Sequence, residues 1–215
     1  MKSSLTKQNV RGRIIKSLGG FYYVADSEQK GSIIECRARG AFRQQNVKPC
    51  VGDWAQVELT PQGKGYVVEI EERKNSLVRP PLANLDQLVL VVSIADPAPN
   101  AFVLDKLIAI AEYQEIEPII VITKCDLADP EEFAQIYRKA GFTVLETKSL
   151  QHEGIESVME ILKDKTSAFC GNSGAGKSTL LNAIDPRLSL DTGDISQKLG
   201  RGRHTTRHVL SLIHI

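Results

Sequence analysis

Gly171-Asn172-Ser173-Gly174-Ala175-Gly176-Lys177-Ser178 satisfies the pattern G-x-x-x-x-G-K-[ST] in full. At a Gly usage near 7%, a chance match in a chain this long is roughly a one per cent event. The motif asks for a strand before it and a helix after it, and both are in the sequence. Ser167–Cys170 (SAFC) reads as a short buried strand and Lys177–Ile184 as a helix. Glycines let backbone N–H groups curl around a β-phosphate, Lys177 reaches the β- and γ-phosphates, Ser178 ligates Mg²⁺, and the helix N-terminus adds its positive end. Thr179 follows in the first turn of that helix.

Working outward, residues 82–215 alternate strands and helices. Leu88–Ile94 and Ile119–Thr123 are continuous β-branched apolar runs of the kind buried on both faces of a parallel sheet. Between them Phe102–Tyr113 has helical spacing at Leu104, Ile108 and Ala111. Asp129-Pro130-Glu131-Glu132 opens a helix that ends at Gly141. Thr143–Glu146 is then a strand and Ile155–Leu162 a helix. The sequence predicts a doubly wound α/β domain.

The base that accompanies the phosphates is read elsewhere. Thr123-Lys124-Cys125-Asp126, at the carboxyl end of an apolar strand, resembles the N-K-x-D guanine element of GTPases. There Asp126 accepts hydrogen bonds from guanine N1 and the exocyclic amine, a pattern adenine does not offer, and the Lys124 stem lies along the base. Thr123 replaces the usual Asn. Thr147-Lys148-Ser149 sits where GTPases place a backbone loop supporting the guanine, with Ser149 the matching residue. Asp126 precedes Gly171 by 45 positions, the reverse of the usual order, so the sheet has been cut and rejoined. Downstream, Gly200-Arg201-Gly202-Arg203-His204-Thr205-Thr206-Arg207-His208 falls where a GTPase keeps its first switch, whose Thr completes the Mg²⁺ shell. A basic loop touching phosphate or RNA fits the same residues.

The first part of the chain reads differently. Val10–Leu18, Phe21–Asp26, Ser32–Arg39, Trp54–Leu59 and Tyr66–Glu71 are short strands separated by Gly-marked turns. Five such strands predict a small barrel over residues 1–72, of oligonucleotide-binding (OB) or SH3-like type. A linker is expected over 73–81. The net charge of +1 divides unevenly: residues 1–80 carry 14 Lys+Arg against 8 Asp+Glu, and residues 81–215 carry 13 against 18. A basic barrel suits an anionic partner such as nucleic acid. Cys36, Cys50, Cys125 and Cys170 are scattered without C-x-x-C or His spacing, which argues against a disulfide framework or a zinc site. With no spanning or signal-like apolar run, the sequence predicts a soluble, cytoplasmic protein without a membrane partner. A monomer is the expected state.

The sequence resembles the circularly permuted, small-ribosomal-subunit-dependent GTPases of the RsgA/YjeQ (YloQ-like) family. The resemblance rests on R-K-N-S-L-V-R-P at 73–80, N-L-D-Q-L at 84–88, T-K-C-D-L at 123–127, G-N-S-G-A-G-K-S-T-L-L-N at 171–182 and G-R-G-R-H-T-T-R-H at 200–208. It implies an OB-fold barrel that binds rRNA. It also implies a permuted GTPase domain that binds GTP or GDP with Mg²⁺, acts on the small ribosomal subunit late in its maturation, hydrolyses GTP and leaves. By the same resemblance Thr206 is a magnesium ligand beside Ser178, His204 assists hydrolysis, and Lys177 and Thr206 complete the catalytic set.

The family continues with a D-x-P-G element and a helical zinc-binding domain. Neither is present in a sequence that ends Ser211-Leu212-Ile213-His214-Ile215. The expectation is therefore a C-terminally truncated form with no zinc site, reduced stability and weak turnover. Two alternatives stay open at this point: a non-catalytic RNA-binding fragment, and a P-loop ATPase, which Asp126 disfavours.

Overall fold

Alternating apolar residues in the first five strands set the first unit. The structure, a computed structural model, describes residues 9–40, 42 and 47–190. β1 (Asn9–Leu18), β2 (Phe21–Asp26), β3 (Ile33–Ala38), β4 (Trp54–Leu59) and β5 (Gly65–Ile70) close into a barrel in the order β1-β2-β3-β5-β4. β3 and β5 run parallel and the other pairs antiparallel, and β4 returns to β1 to remove the sheet edge. Ile14, Val24, Ile34, Cys36, Ala55, Val57 and Val67 fill the interior, as the two-residue period of a strand requires.

The segment expected as a linker over 73–81 is ordered structure. β6 (Ser76–Val78) and β7 (Pro81–Ala83) form an antiparallel hairpin, and the first compact unit runs to Leu85, the second starting at Asp86. Polar side chains tie this segment down by meeting backbone groups. Arg73 donates to both carboxylate oxygens of Asp53 at 2.7 and 2.9 Å and to the Lys48 carbonyl. Asp53, fully buried, also accepts from the Cys50 N–H. Asn75 exchanges two hydrogen bonds with the Leu85 backbone, and Asn84 accepts from the Lys74 N–H while donating to the Gly52 carbonyl.

The second unit is a parallel sheet in the order β10-β9-β8-β11. Its strands are β8 (Gln87–Ser93), β9 (Glu117–Thr123), β10 (Thr143–Glu146) and β11 (Ser167–Cys170). Four helices connect and follow them: α1 (Ala101–Tyr113), α2 (Glu131–Lys139), α3 (Ile155–Leu162) and α4 (Lys177–Ile184). One sheet face, through Val89, Val91, Ile119, Val121 and Phe169, packs on Ile155, Val158 and Leu162 of α3 and on Leu180, Leu181 and Ile184 of α4. Leu88, Leu90, Ile120 and Ile122 alternate with these and are also buried. α1 packs against β8 and β9. Completely burying an Ile such as Ile120 stabilises by about 1.5–3 kcal/mol. Asn100 caps α1 by accepting from the Val103 N–H, and Asp129 accepts from the Glu131 N–H at the start of α2.

This order places the site. From β8 the chain steps outward through β9 to β10, then crosses back to add β11 on the other side of β8. Ligands of open α/β sheets bind at the carboxyl ends of the strands where the winding reverses, which here is between β8 and β11.

Candidate nucleotide site

The glycine-rich loop leaves β11 at that reversal. A Cβ on Gly171 would stand 2.2 Å from the Val91 carbonyl oxygen of β8, so only glycine lets the loop begin against the neighbouring strand. α4 then starts after Gly176 with no side chain capping its N-terminus. Its first N–H groups are left to meet an anion, and the helix dipole adds to the attraction. Asn172, Ser173 and Gly174 are exposed, Ala175 is buried, and Lys177, Ser178 and Thr179 are half-buried in the first turn.

Lys177 curls back over this loop, its ammonium donating to the carbonyls of Gly171 and Asn172 at 2.7 Å each. Burial pulls its pKa below the usual lysine value. A desolvated cation held by carbonyl dipoles gains from a phosphate arriving beside it. The Cys170 thiol, just before the loop, is pushed up by burial, with the Gly171 N–H and Lys177 opposing. Ser178 and Thr179 make no side-chain hydrogen bond among the described residues.

Thr123 stands at the end of β9, 2% exposed. Its hydroxyl donates to the Ala175 carbonyl at 2.8 Å. The Thr that replaces the usual Asn thus joins the segment 123–126 to the phosphate loop. Lys124 takes a positive φ and its ammonium donates to the Asp96 carbonyl, while the side chain of Asp126 is exposed. The third segment is bound to the same strand end. The Thr147 N–H and hydroxyl both donate to the Ile122 carbonyl at 2.8 and 3.2 Å, and the Cys125 N–H donates to the Thr147 carbonyl at 3.3 Å. Lys148 and Glu153 exchange backbone hydrogen bonds and pair by their side chains at 2.6 Å, closing the loop around Ser149. The Ser149 hydroxyl is buried without a partner among the described residues, as is the Gln87 amide oxygen at the far end of the sheet.

Three segments read from the sequence, 123–126, 147–149 and 171–179, therefore lie together at the carboxyl ends of the strands. His204 and Thr206 lie outside the described residues. The sequence reading missed the loop after β8, where Pro97 packs 3.2 Å from the position a Gly174 side chain would take. Two prolines in Asp96-Pro97-Ala98-Pro99, just past a central apolar strand, were the available signal.

Among the described residues no group of three His, Cys, Asp or Glu side chains could cage a metal ion. Mg²⁺ keeps several waters and binds through substrate phosphates with one or two protein oxygens. The Ser178 hydroxyl, half-buried in the first turn of α4 and without a hydrogen bond among the described residues, fits that part.

Comparison with known proteins agrees with the geometry. The model of the RsgA GTPase family matches residues 70–215 and that of the RsgA N-terminal domain matches residues 11–67. The small ribosomal subunit biogenesis GTPase RsgA of Caldanaerobacter subterraneus subsp. tengcongensis is 48% identical over 205 residues, covering 94% of this chain and 68% of the relative. The Bacillus subtilis protein of the same name is 46% identical over 211 residues, covering 94% and 70%. Among solved structures, YjeQ from Thermotoga maritima superposes with a TM-score of 0.76 at 36% identity, covering 86% of this chain and 68% of that one. YloQ, described as a circularly permuted GTPase, gives 0.71 at 39% identity, covering 87% and 68%.

Proposed function

The chain belongs to the RsgA GTPase family, and from that premise we propose that it is a GTP hydrolase acting in the biogenesis of the small ribosomal subunit, in the cytoplasm, its barrel binding rRNA. One observation supports the nucleotide part: the 2.8 Å bond from the Thr123 hydroxyl to the Ala175 carbonyl, which ties the segment 123–126 to the glycine-rich loop. Asp126 selects guanine by accepting from its N1–H and amine. The loop held by Thr147 and closed by Lys148 and Glu153 supports the base beside Ser149. Lys177 and the N–H groups of α4 hold the phosphates.

Ser178, with Thr206 from the run 200–208, would hold Mg²⁺, which when bound neutralises charge on the phosphates. No side chain need form a covalent intermediate. The protein supplies position and fixed positive charge, and His204 is assigned to assist the attacking water. Slow intrinsic turnover, raised by the ribosomal subunit, is the expected behaviour.

Titration with fluorescent GDP and fluorescent ADP in Mg²⁺ tests the reading. GDP should bind and ADP should not. Asp126→Asn should lose GDP yet gain xanthosine diphosphate, because an Asn amide donates to the oxygen that replaces the guanine amine. Equal affinity for GDP and ADP, or an unaffected Asp126→Asn variant, would overturn the guanine assignment. His204→Ala should lower turnover while leaving GDP affinity in place, and unchanged turnover removes His204 from the mechanism.

A further inference from the structure

α1 is apolar on two sides, and the sheet covers one of them. Leu104, Ile108 and Ala111 are buried where the helix packs on β8 and β9. On the other side Phe102 is 66%, Ile110 48% and Tyr113 85% exposed, and Ala109 lies open between them. A surface helix ordinarily turns charge toward solvent, as α2 does with Glu131, Glu132 and Lys139. Apolar residues on both sides are the mark of a helix that is covered on both.

The outward residues form a stripe. Phe102, Lys106, Ala109 and Tyr113 follow at steps of four, three and four, the repeat that lines one side of a helix for a partner helix. They extend over about 17 Å of the axis. Lys106 does not break the stripe, because its ammonium lies 4.1 Å from the Phe102 ring centroid and its stem adds apolar surface.

The charge along the stripe decides between partners. Asp105 and Glu112, seven residues apart, run along one border, and Glu115 follows in the turn after the helix. All three are exposed, and none is in a salt bridge among the described residues. Asp105 accepts from the Tyr137 hydroxyl at 2.9 Å, a neutral donor that leaves the negative charge uncancelled. RNA phosphates would meet carboxylates along this border, whereas a cationic protein segment would be drawn to it.

We propose that the outer side of α1 docks a protein of the small ribosomal subunit, through an amphipathic helix that sets apolar side chains between Phe102 and Tyr113 and Lys or Arg along Asp105 and Glu112. It rests on the reading that the chain acts on that subunit, and it assigns this contact to protein rather than to rRNA. Exposed aromatic anchors are where such interfaces concentrate their affinity.

The test uses the full chain, fluorescently labelled at its N-terminus, with purified small subunits and with rRNA stripped of protein, read by anisotropy. Phe102→Ala and Tyr113→Ala should each weaken binding to intact subunits about five- to thirtyfold, and change binding to stripped rRNA less than twofold. Glu112→Lys should also weaken subunit binding at low salt. GDP affinity and melting temperature should hold in all three, since the altered side chains are exposed. Subunit binding by the Phe102→Ala/Tyr113→Ala double variant within twofold of wild type overturns the docking site. An equal loss on stripped rRNA, or tighter subunit binding by Glu112→Lys, makes RNA the occupant and overturns it. A dimer in sedimentation velocity that the double variant dissolves makes the occupant a second copy. A melting temperature lowered by about 4 °C or more places the stripe inside the chain's own fold, which also overturns it. Wild-type chain that binds no small subunits overturns the ribosomal reading and this proposal together.

Discussion

Replacing Thr123 by Val isolates the bond that joins the two halves of the nucleotide site. Valine matches threonine in shape, so the 2%-exposed position stays filled. What is lost is the donor 2.8 Å from the Ala175 carbonyl, on a residue that is itself 2% exposed. Stranding a buried acceptor costs about 1–3 kcal/mol. A mid-range loss of about 2 kcal/mol should lower the melting temperature of the second unit by roughly 4–8 °C. The same energy limits the effect on affinity, because a loop freed from its tether spends less time in the form that accepts phosphate. About thirtyfold weaker GDP binding is the ceiling for about 2 kcal/mol. Thr123→Ser keeps the donor and sheds one methyl, costing about 1 kcal/mol of stability, and should bind GDP within threefold of wild type. Calorimetric melting and fluorescent-GDP titration of the three proteins decide the matter. A Val variant with wild-type affinity and melting, or a Ser variant as impaired as Val, would refute the tether.

Other perturbations probe the parts around it. Gly154 has φ +77° and its missing Cβ would sit 2.1 Å from the Glu146 carbonyl oxygen, so Gly154→Ala should displace the loop 147–153. The expected cost is about 1–3 kcal/mol, seen as weaker GDP binding with RNA binding unchanged. Asp53→Ala strips Arg73 and the Cys50 N–H of their shared partner inside the barrel. The barrel should lose about 3 kcal/mol in urea denaturation. Burial raises the thiols of Cys36 and Cys50 to about 12, from 9.0 in the exposed chain. The folded barrel therefore holds those protons where the unfolded chain has released them. Its stability should be whole below about pH 9 and decline as pH rises from 9 toward 12, with a shallower decline in Cys36→Ala. Iodoacetamide at pH 8 should leave both residues unmodified in the native protein, as mass spectrometry would show.

Strands with strong local signals lie where the sequence places them. Phe21–Asp26, Trp54–Leu59, Thr143–Glu146 and Ser167–Cys170 match residue for residue, as do the helices 155–162 and 177–184. Their apolar periodicity and their turns act in the same direction. The hairpin 76–83 was not legible, because its three-residue strands flank Pro80 and Pro81 and are held by Asp53, Asn75 and Asn84 rather than by a pattern of their own. At the candidate site, the glycine-rich turn between a strand and a helix was legible from residue type and spacing. The role of Thr123 was not, since its partner is the carbonyl of Ala175, 52 residues away, and a backbone oxygen leaves no mark in a sequence. The same is true of Asp96, which meets Lys124 through its carbonyl.

The strand order β10-β9-β8-β11 also sets a sequence of events during synthesis. A chain emerging from its N-terminus first exposes β8, β9 and β10, which are neighbours in the sheet and can pair as they appear. Asp126 precedes Gly171 by 45 positions, an interval of about 2 to 9 s at ordinary translation rates. By the time the glycine loop is made, the strand end it leans on and the hydroxyl that ties it are already in place. The phosphate cradle is then cast against a finished mould, whereas a chain that led with its glycine loop would have to hold that loop open until the mould was built.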